Sequence, residues 1–244
     1  MISIIRNTCN GMNRKNQLLF LLDAFLINGA YVITTGTLLS GYAIYLGTSD
    51  FLTSLLNNSA NYTTTLSILS FVIFERMKRR KNTLLILNAS SRLLICLIAL
   101  LPLVFDTKPV MFAFLAFMVI TSDVIWGIYR IGWIVWMIDG IPKENRTQYI
   151  YLRTFLIRIS NSVISMAVGF ILDIYNKEYL GFLIIFSMSF ILSMLDIAVL
   201  WKVDDHGYKA PDSKKIDYKL FLQPVKNGEY RSYLLFIFAF YLFL

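Results

Sequence analysis

The chain has 244 residues, of which 57% are hydrophobic, 15% aromatic and only 16% charged, with a formal net charge of +8. A soluble domain runs at about 45–50% apolar and about 25% charged residues, because its core has to be covered by a polar surface. Here the charges gather in short stretches between apolar runs, which excludes a soluble globular enzyme, a disordered chain and a disulfide scaffold. The composition is that of an all-α membrane protein that crosses the bilayer several times. Cys9 lies in a polar N-terminal tail and Cys96 inside an apolar run, so no disulfide between them is expected. No cleavable signal is read at the N-terminus: Met1–Ile5 is too short for an apolar core, and Arg6, Arg14 and Lys15 lead straight into a long hydrophobic segment.

A spanning helix needs about 20 mostly apolar residues. In chain order the segments that meet this are Gln17–Leu46, Phe51–Phe74, Thr83–Phe105, Val110–Ile138, Ile150–Ile174 and Tyr179–Trp201. They follow a tail over residues 1–16 and precede a polar loop over 202–231. Residues 232–244 read as the start of a seventh span. The first segment exceeds the bare requirement and holds Gly29, Gly36 and Gly41, so a tilt or kink is expected there. The outer half of the second carries Asn57, Asn58 and Asn61 and several hydroxyls, which weakens its apolar signal.

The basic residues support six crossings. With six spans, one side of the membrane holds Arg6, Arg14 and Lys15, then Arg76, Lys78, Arg79, Arg80 and Lys81, then Lys143, Arg146 and Arg153. The same side also holds the seven lysines and arginines of the 202–231 loop. The opposite side has only Lys108 and Lys177, while Arg92, Arg130 and Arg158 fall within spans. Basic residues mark the cytoplasmic face, so the N-terminus and the long loop are expected in the cytoplasm of a cell-membrane protein. Omitting the second span would put the Arg76–Lys81 cluster outside. The excess positive charge suits loops facing anionic lipid, and no nucleic-acid partner is needed to explain it.

This plan resembles the N-terminal half of a major facilitator superfamily transporter, over essentially the whole chain. Between spans two and three the family has Gly-x-x-x-Asp-Arg-x-Gly-Arg-Arg, matched here by Phe71-Val-Ile-Phe-Glu75-Arg76-Met77-Lys78-Arg79-Arg80. The acid–base pair Glu75–Arg76 and the basic Arg79–Arg80 are kept, while Phe71 and Lys78 replace the glycines. Ile141-Pro142-Lys143-Glu144-Asn145-Arg146 is similar to the family's Pro-x-x-x-Arg loop, with Tyr151 and Arg153 following. Lys226-Asn227-Gly228-Glu229-Tyr230-Arg231 is similar to the approach to span seven. The resemblance implies two inverted three-helix repeats per half, a central site lined by spans one and four, and a second six-helix half. By the family's pattern that half is missing, and the chain reads as truncated.

Ionisable groups at membrane depth usually face a cavity or a partner. Counted from the nearest loops, Arg92 and Asp123 fall at one depth, as do Arg158 and Asp196, so Arg92–Asp123 and Arg158–Asp196 are candidate ion pairs. Asp23 falls level with the cytoplasmic edge near Glu75 and Arg76. Asp123, Trp126, Arg130 and Trp133 share one helical face. That face cannot look at lipid, and its arginine suits an anionic group while its indoles suit a cationic or planar one. Asn28, Tyr31 and Thr35 share a face of span one. Arg158, Ser162, Ser165 and Gly169 share one on span five, a pattern equally expected of close helix packing. Substrate-cavity candidates are therefore Asn28, Tyr31, Thr35, Asp123, Trp126, Arg130, Trp133 and Arg158. Asp123, close to arginines, is also a candidate for coupling a proton to transport.

The single histidine, His206, lies in the long loop and neither cysteine has a ligand beside it, so no metal site is expected. No phosphate-binding Gly-rich loop is present, no cofactor is called for, and no enzyme chemistry is indicated. A secondary transporter of a small solute is the leading expectation. The alternative is a non-transporting six-helix module, or an inactive truncation product, that binds a partner. Topology tests the plan directly: reporters fused after Lys108 or Lys177 are expected outside, and those after Arg80, Lys143 or Lys214 inside. A reporter at Arg80 read outside would remove the second span.

Overall fold

The computed structural model describes residues 14–64, 70, 73–74, 77, 79–204 and 227–242. The chain divides into two units, Met1–Lys209 and Ala210–Leu244. The described residues of both are helical, with turns between the helices. Five stretches are long and apolar enough to cross a membrane: Arg14–Leu46, Lys81–Val104, Lys108–Asp139, Lys143–Ile174 and Tyr179–Trp201. This is a multi-pass membrane architecture.

The first stretch is two helices, α1 (Arg14–Ile33) and α2 (Gly36–Leu46). The expected kink falls at Gly36, whose φ of +61° a residue without Cβ adopts at no steric cost. The break frees carbonyls, and in hydrocarbon these must find donors within the protein. Thr34 and Thr35 supply them, their hydroxyls donating to Ala30 O at 3.3 Å and Tyr31 O at 2.8 Å.

Helix α3 (Asp50–Thr64) is the described part of the expected second segment, and it is shorter than a span. Of residues 65–74 only Ser70, Ile73 and Phe74 are described. Thr53, Leu56, Ser59 and Thr63 of α3 are buried, while Asn57 and Asn61 are exposed.

Helix α4 (Lys81–Leu97) passes through a 3-10 turn at Ile98–Leu100 into the short α5 (Leu101–Val104). Pro102 has no N–H to close a helical bond. The Tyr42 and Tyr179 hydroxyls donate to Ile98 O at 3.0 Å and Ala99 O at 2.8 Å there. Helix α6 (Lys108–Asp139) runs 32 residues. A 3-10 turn over Lys143–Asn145 leads into α7 (Arg146–Ile174), which starts four residues earlier than the expected fifth span. Helix α8 (Tyr179–Trp201) matches the expected sixth. In the second unit, α9 (Gly228–Leu242) is a 15-residue helix; most of the 202–231 loop lies outside the described residues.

Within the first unit, α1 packs on α7 and α8, α6 packs on α3 and α4, and α4 packs on α8. Two apolar clusters form. One gathers Tyr42, Leu115, Val168 and Ile185, the other Phe20, Trp133, Tyr149 and Leu200. On each helix the positions between these clusters hold the buried polar residues: Asp23, Asn88, Arg92, Asp123 and Asp196, with Ser91, Ser122, Ser160 and Ser189. Hydroxyls tie the helices together at this level. Ser160 Oγ donates to Phe25 O at 2.6 Å, Ser70 Oγ to Ile128 O at 2.6 Å, Ser91 Oγ to Ser122 O at 3.0 Å and Ser189 Oγ to Ala30 O at 3.0 Å.

Close approach also depends on Gly132, where an added Cβ would stand 2.4 Å from the Phe74 ring. Gly132→Ala should therefore destabilise the protein by about 1–3 kcal/mol. Gly169→Ala, which meets nothing within 4 Å, should be neutral or slightly stabilising. Thermal unfolding of both variants in detergent checks the contrast.

Candidate functional site

A cavity of about 330 Å³ opens between α1, α6 and α7. From α1 it is lined by Asp23, Asn28 and Tyr31, one helical face with Ile27. From α6 it takes Trp126, Tyr129, Arg130 and Trp133, and from α7 Arg153 and Ile157. Five predicted residues, Asn28, Tyr31, Trp126, Arg130 and Trp133, thus meet around one space. They do so because the 3.6-residue period sets them on facing stripes of α1 and α6.

The other predicted residues go elsewhere. Thr35 lies at the break after α1. Asp123 is buried off the cavity, one turn from Trp126, where the Ser59 hydroxyl donates to its Oδ2. Arg158 is exposed on α7, as are Ser162 and Ser165. The buried side of α7 is marked instead by Tyr149, Leu152, Ser160 and Val168.

Neither predicted ion pair forms. Arg92 is 2% exposed, and its guanidinium lies over the Trp126 ring, 3.8 Å from the centroid, with Tyr31 on the same side at 5.4 Å. Its Nη1 donates to Thr34 Oγ1 at 3.5 Å. Arg92 and Asp123 do reach one level, but helix rotation turns the guanidinium to the indole and the carboxylate to α3. Asp196, fully buried, accepts a hydrogen bond from Asn88 Nδ2 at 2.9 Å; Arg158 does not reach it.

The ion pair that does form at the cavity joins Asp23 to Arg153, with Nη2 3.1 Å from Oδ2 and side chains 0% and 13% exposed. The sequence puts Arg153 on the cytoplasmic side, at the start of the expected span 150–174, and Asp23 at the level of Glu75 and Arg76. Because α7 begins at Arg146, Arg153 stands two turns inside the helix, where it also lies over the Trp133 ring at 4.3 Å. Ser59, Asn88 and Tyr129 were likewise missed; an uncharged polar residue within a span gives no sign of its partner.

Of the loop-signature residues, Arg80 and Arg146 hold helix ends. Arg80 Nε donates to Phe74 O at 3.1 Å, and Arg146 Nη2 to Ile138 O at 3.1 Å and Ile141 O at 3.3 Å. Cations suit these carbonyl-rich C-termini. Arg79 is exposed, and Glu75 and Arg76 lie outside the described residues. At the same end of the bundle Lys81 Nζ donates to Trp201 O at 2.6 Å and Val203 O at 2.7 Å.

No protein-family profile, curated protein or solved structure matches the chain. The site therefore rests on its own geometry: an aromatic-walled space lined by Arg130 and Arg153, with the Asp23 carboxylate buried behind Arg153.

Removing one partner of a buried ion pair costs about 3–5 kcal/mol, because it strands the other charge. Arg153→Met should destabilise by about that amount, and adding Asp23→Asn should recover most of the loss. The same double-mutant cycle on Arg92 and Asp123 should read a smaller coupling. Unfolding of the purified variants measures both.

Proposed function

We propose that the chain is the N-terminal six-helix half of a secondary transporter of the major facilitator type. In this reading it moves a small solute by alternating access through the cavity between α1, α6 and α7. The observation that carries the reading is the packing pattern. Number the six expected spans and exchange one with four, two with five and three with six. The pairs 1–5 and 1–6 then become 4–2 and 4–3, and 3–6 maps onto itself, which matches the contacts α1·α7, α1·α8, α6·α3, α6·α4 and α4·α8; α2·α3 and α7·α8 have no counterpart of that size among the described residues. The hydroxyl ties obey the same exchange. Ser160 on span five bonds span one as Ser70 on span two bonds span four, and Ser189 joins six to one as Ser91 joins three to four. Three is an odd number of crossings, so a second such repeat enters from the opposite face, the arrangement of inverted-repeat transporters with a site between repeats.

The exposed stripe of Arg158, Ser162 and Ser165 on α7 is too polar for lipid. It supports a second six-helix unit packing there. The same stripe is what favours the second reading, a non-transporting module that binds a membrane partner. The basic loops support a cytoplasmic N-terminus in the cell membrane.

Accessibility separates the two readings. With Cys9 and Cys96 changed to Ser, Asn28→Cys should react with a membrane-impermeant maleimide in both right-side-out and everted vesicles. Reaction from one face only would leave the module reading.

A further inference from the structure

Which occupant the cavity accepts is written in how its arginines are held. We infer that it binds an oxyanion, a carboxylate or phosphate group, with Arg130 as the direct cationic contact. This rests on the cavity being the solute site of the proposed transporter. It goes further by fixing the charge of the ligand.

Two tryptophans beside an acid would ordinarily suit a cation. Here the indoles are already engaged: Arg92 lies 3.8 Å from the Trp126 centroid and Arg153 lies 4.3 Å from that of Trp133. A ring quadrupole attracts a cation without cancelling its charge, so these contacts hold the guanidiniums in place and leave them charged. The charged groups on the cavity wall are Asp23, Arg130 and Arg153. Asp23 is committed to Arg153 at 3.1 Å. Arg130 is exposed to the cavity and, among the described residues, makes no ion pair or hydrogen bond. The acids behind the wall are engaged too, Asp123 by Ser59 and Asp196 by Asn88.

An unpaired guanidinium on the cavity surface favours an acceptor of negative charge, since charge-assisted bonds to such groups are the strong ones. In hydrocarbon surroundings it also repels a second cation, because the field is weakly screened. A soluble organic anion and the phosphate of a lipid headgroup share this chemistry.

The test uses the full chain in phosphatidylcholine nanodiscs with benzoate, phenyl phosphate and inorganic phosphate as probes, and benzylamine as the cationic counterpart. At least one oxyanion should raise the unfolding midpoint saturably while benzylamine does not. Arg130→Gln should weaken that binding about tenfold or more, and Arg130→Lys should keep most of it. Native mass spectrometry separates the sources. A phospholipid retained by the wild type and lost from Arg130→Gln makes the ligand a lipid phosphate; probe binding without retained lipid makes it a soluble anion. Saturable benzylamine binding, full oxyanion affinity in Arg130→Gln, or neither probe binding nor retained lipid would each overturn the inference. Where Arg130→Gln does not fold, the wild-type contrast between benzoate and benzylamine and the Arg130→Lys affinity decide alone. Oxyanion binding by a cavity labelled from one face only would leave this inference standing and remove transport.

Discussion

A bilayer offers a polar group no alternative partner, and the bundle is organised around that constraint. Every long helix carries polar or charged side chains in its middle third, and the protein meets many of the buried ones internally. Asp23 is met by Arg153, Asp196 by Asn88, Asp123 by Ser59, and the serines by backbone carbonyls of the neighbouring helix. The apolar clusters lie on either side of this layer. The polar layer is where partners must be particular residues at particular rotations, so it sets the register of helix against helix.

The sequence carries depth well and azimuth poorly. Span positions follow from apolar length, and α8 falls where hydropathy puts it. Span six is also the simplest case, an apolar run with clear polar flanks. The stripe Trp126, Arg130 and Trp133 was legible because charge interrupts an aromatic face, and only a protein-lined space tolerates that. Asp123 shares the stripe by spacing, yet its carboxylate lies off the cavity with Ser59. Arg92 and Asp123 were read at one level and lie there, but nothing in a linear count says that one turns to Trp126 and the other to α3. On α7 the failure has a plain cause. Ser160, Ser162, Ser165 and Gly169 place small residues around much of the helix, so the pattern has no phase, and the buried side is Ser160 and Val168. Arg153 counts with the cytoplasmic charges although the expected span 150–174 contains it; four residues of helix before position 150 set it two turns in, at the wall of the cavity.

The aromatic residues of α6 also act differently from what their spacing suggests. They do not stand open for a ligand. Trp126 and Trp133 fix the planes of Arg92 and Arg153, and planar guanidiniums so held lose little freedom when they bind. Aromatic content here serves the positioning of charge, and the stacked Tyr31–Trp126 pair, 5.6 Å between centroids, extends that support across to α1.

The joint at Gly36 has a mechanical consequence. Helix α2 spans 11 residues beyond it, about 16 Å of rigid rod at about 1.5 Å per residue. A rod of that length converts about 10° of rotation at its base into about 3 Å of sweep at its tip. Residues 47–49 alone connect it to α3, so the two share one lever arm. Thr34, two residues before the joint, is the residue that Arg92 touches from α4, which ties the base of that lever to the guanidinium stacked on Trp126.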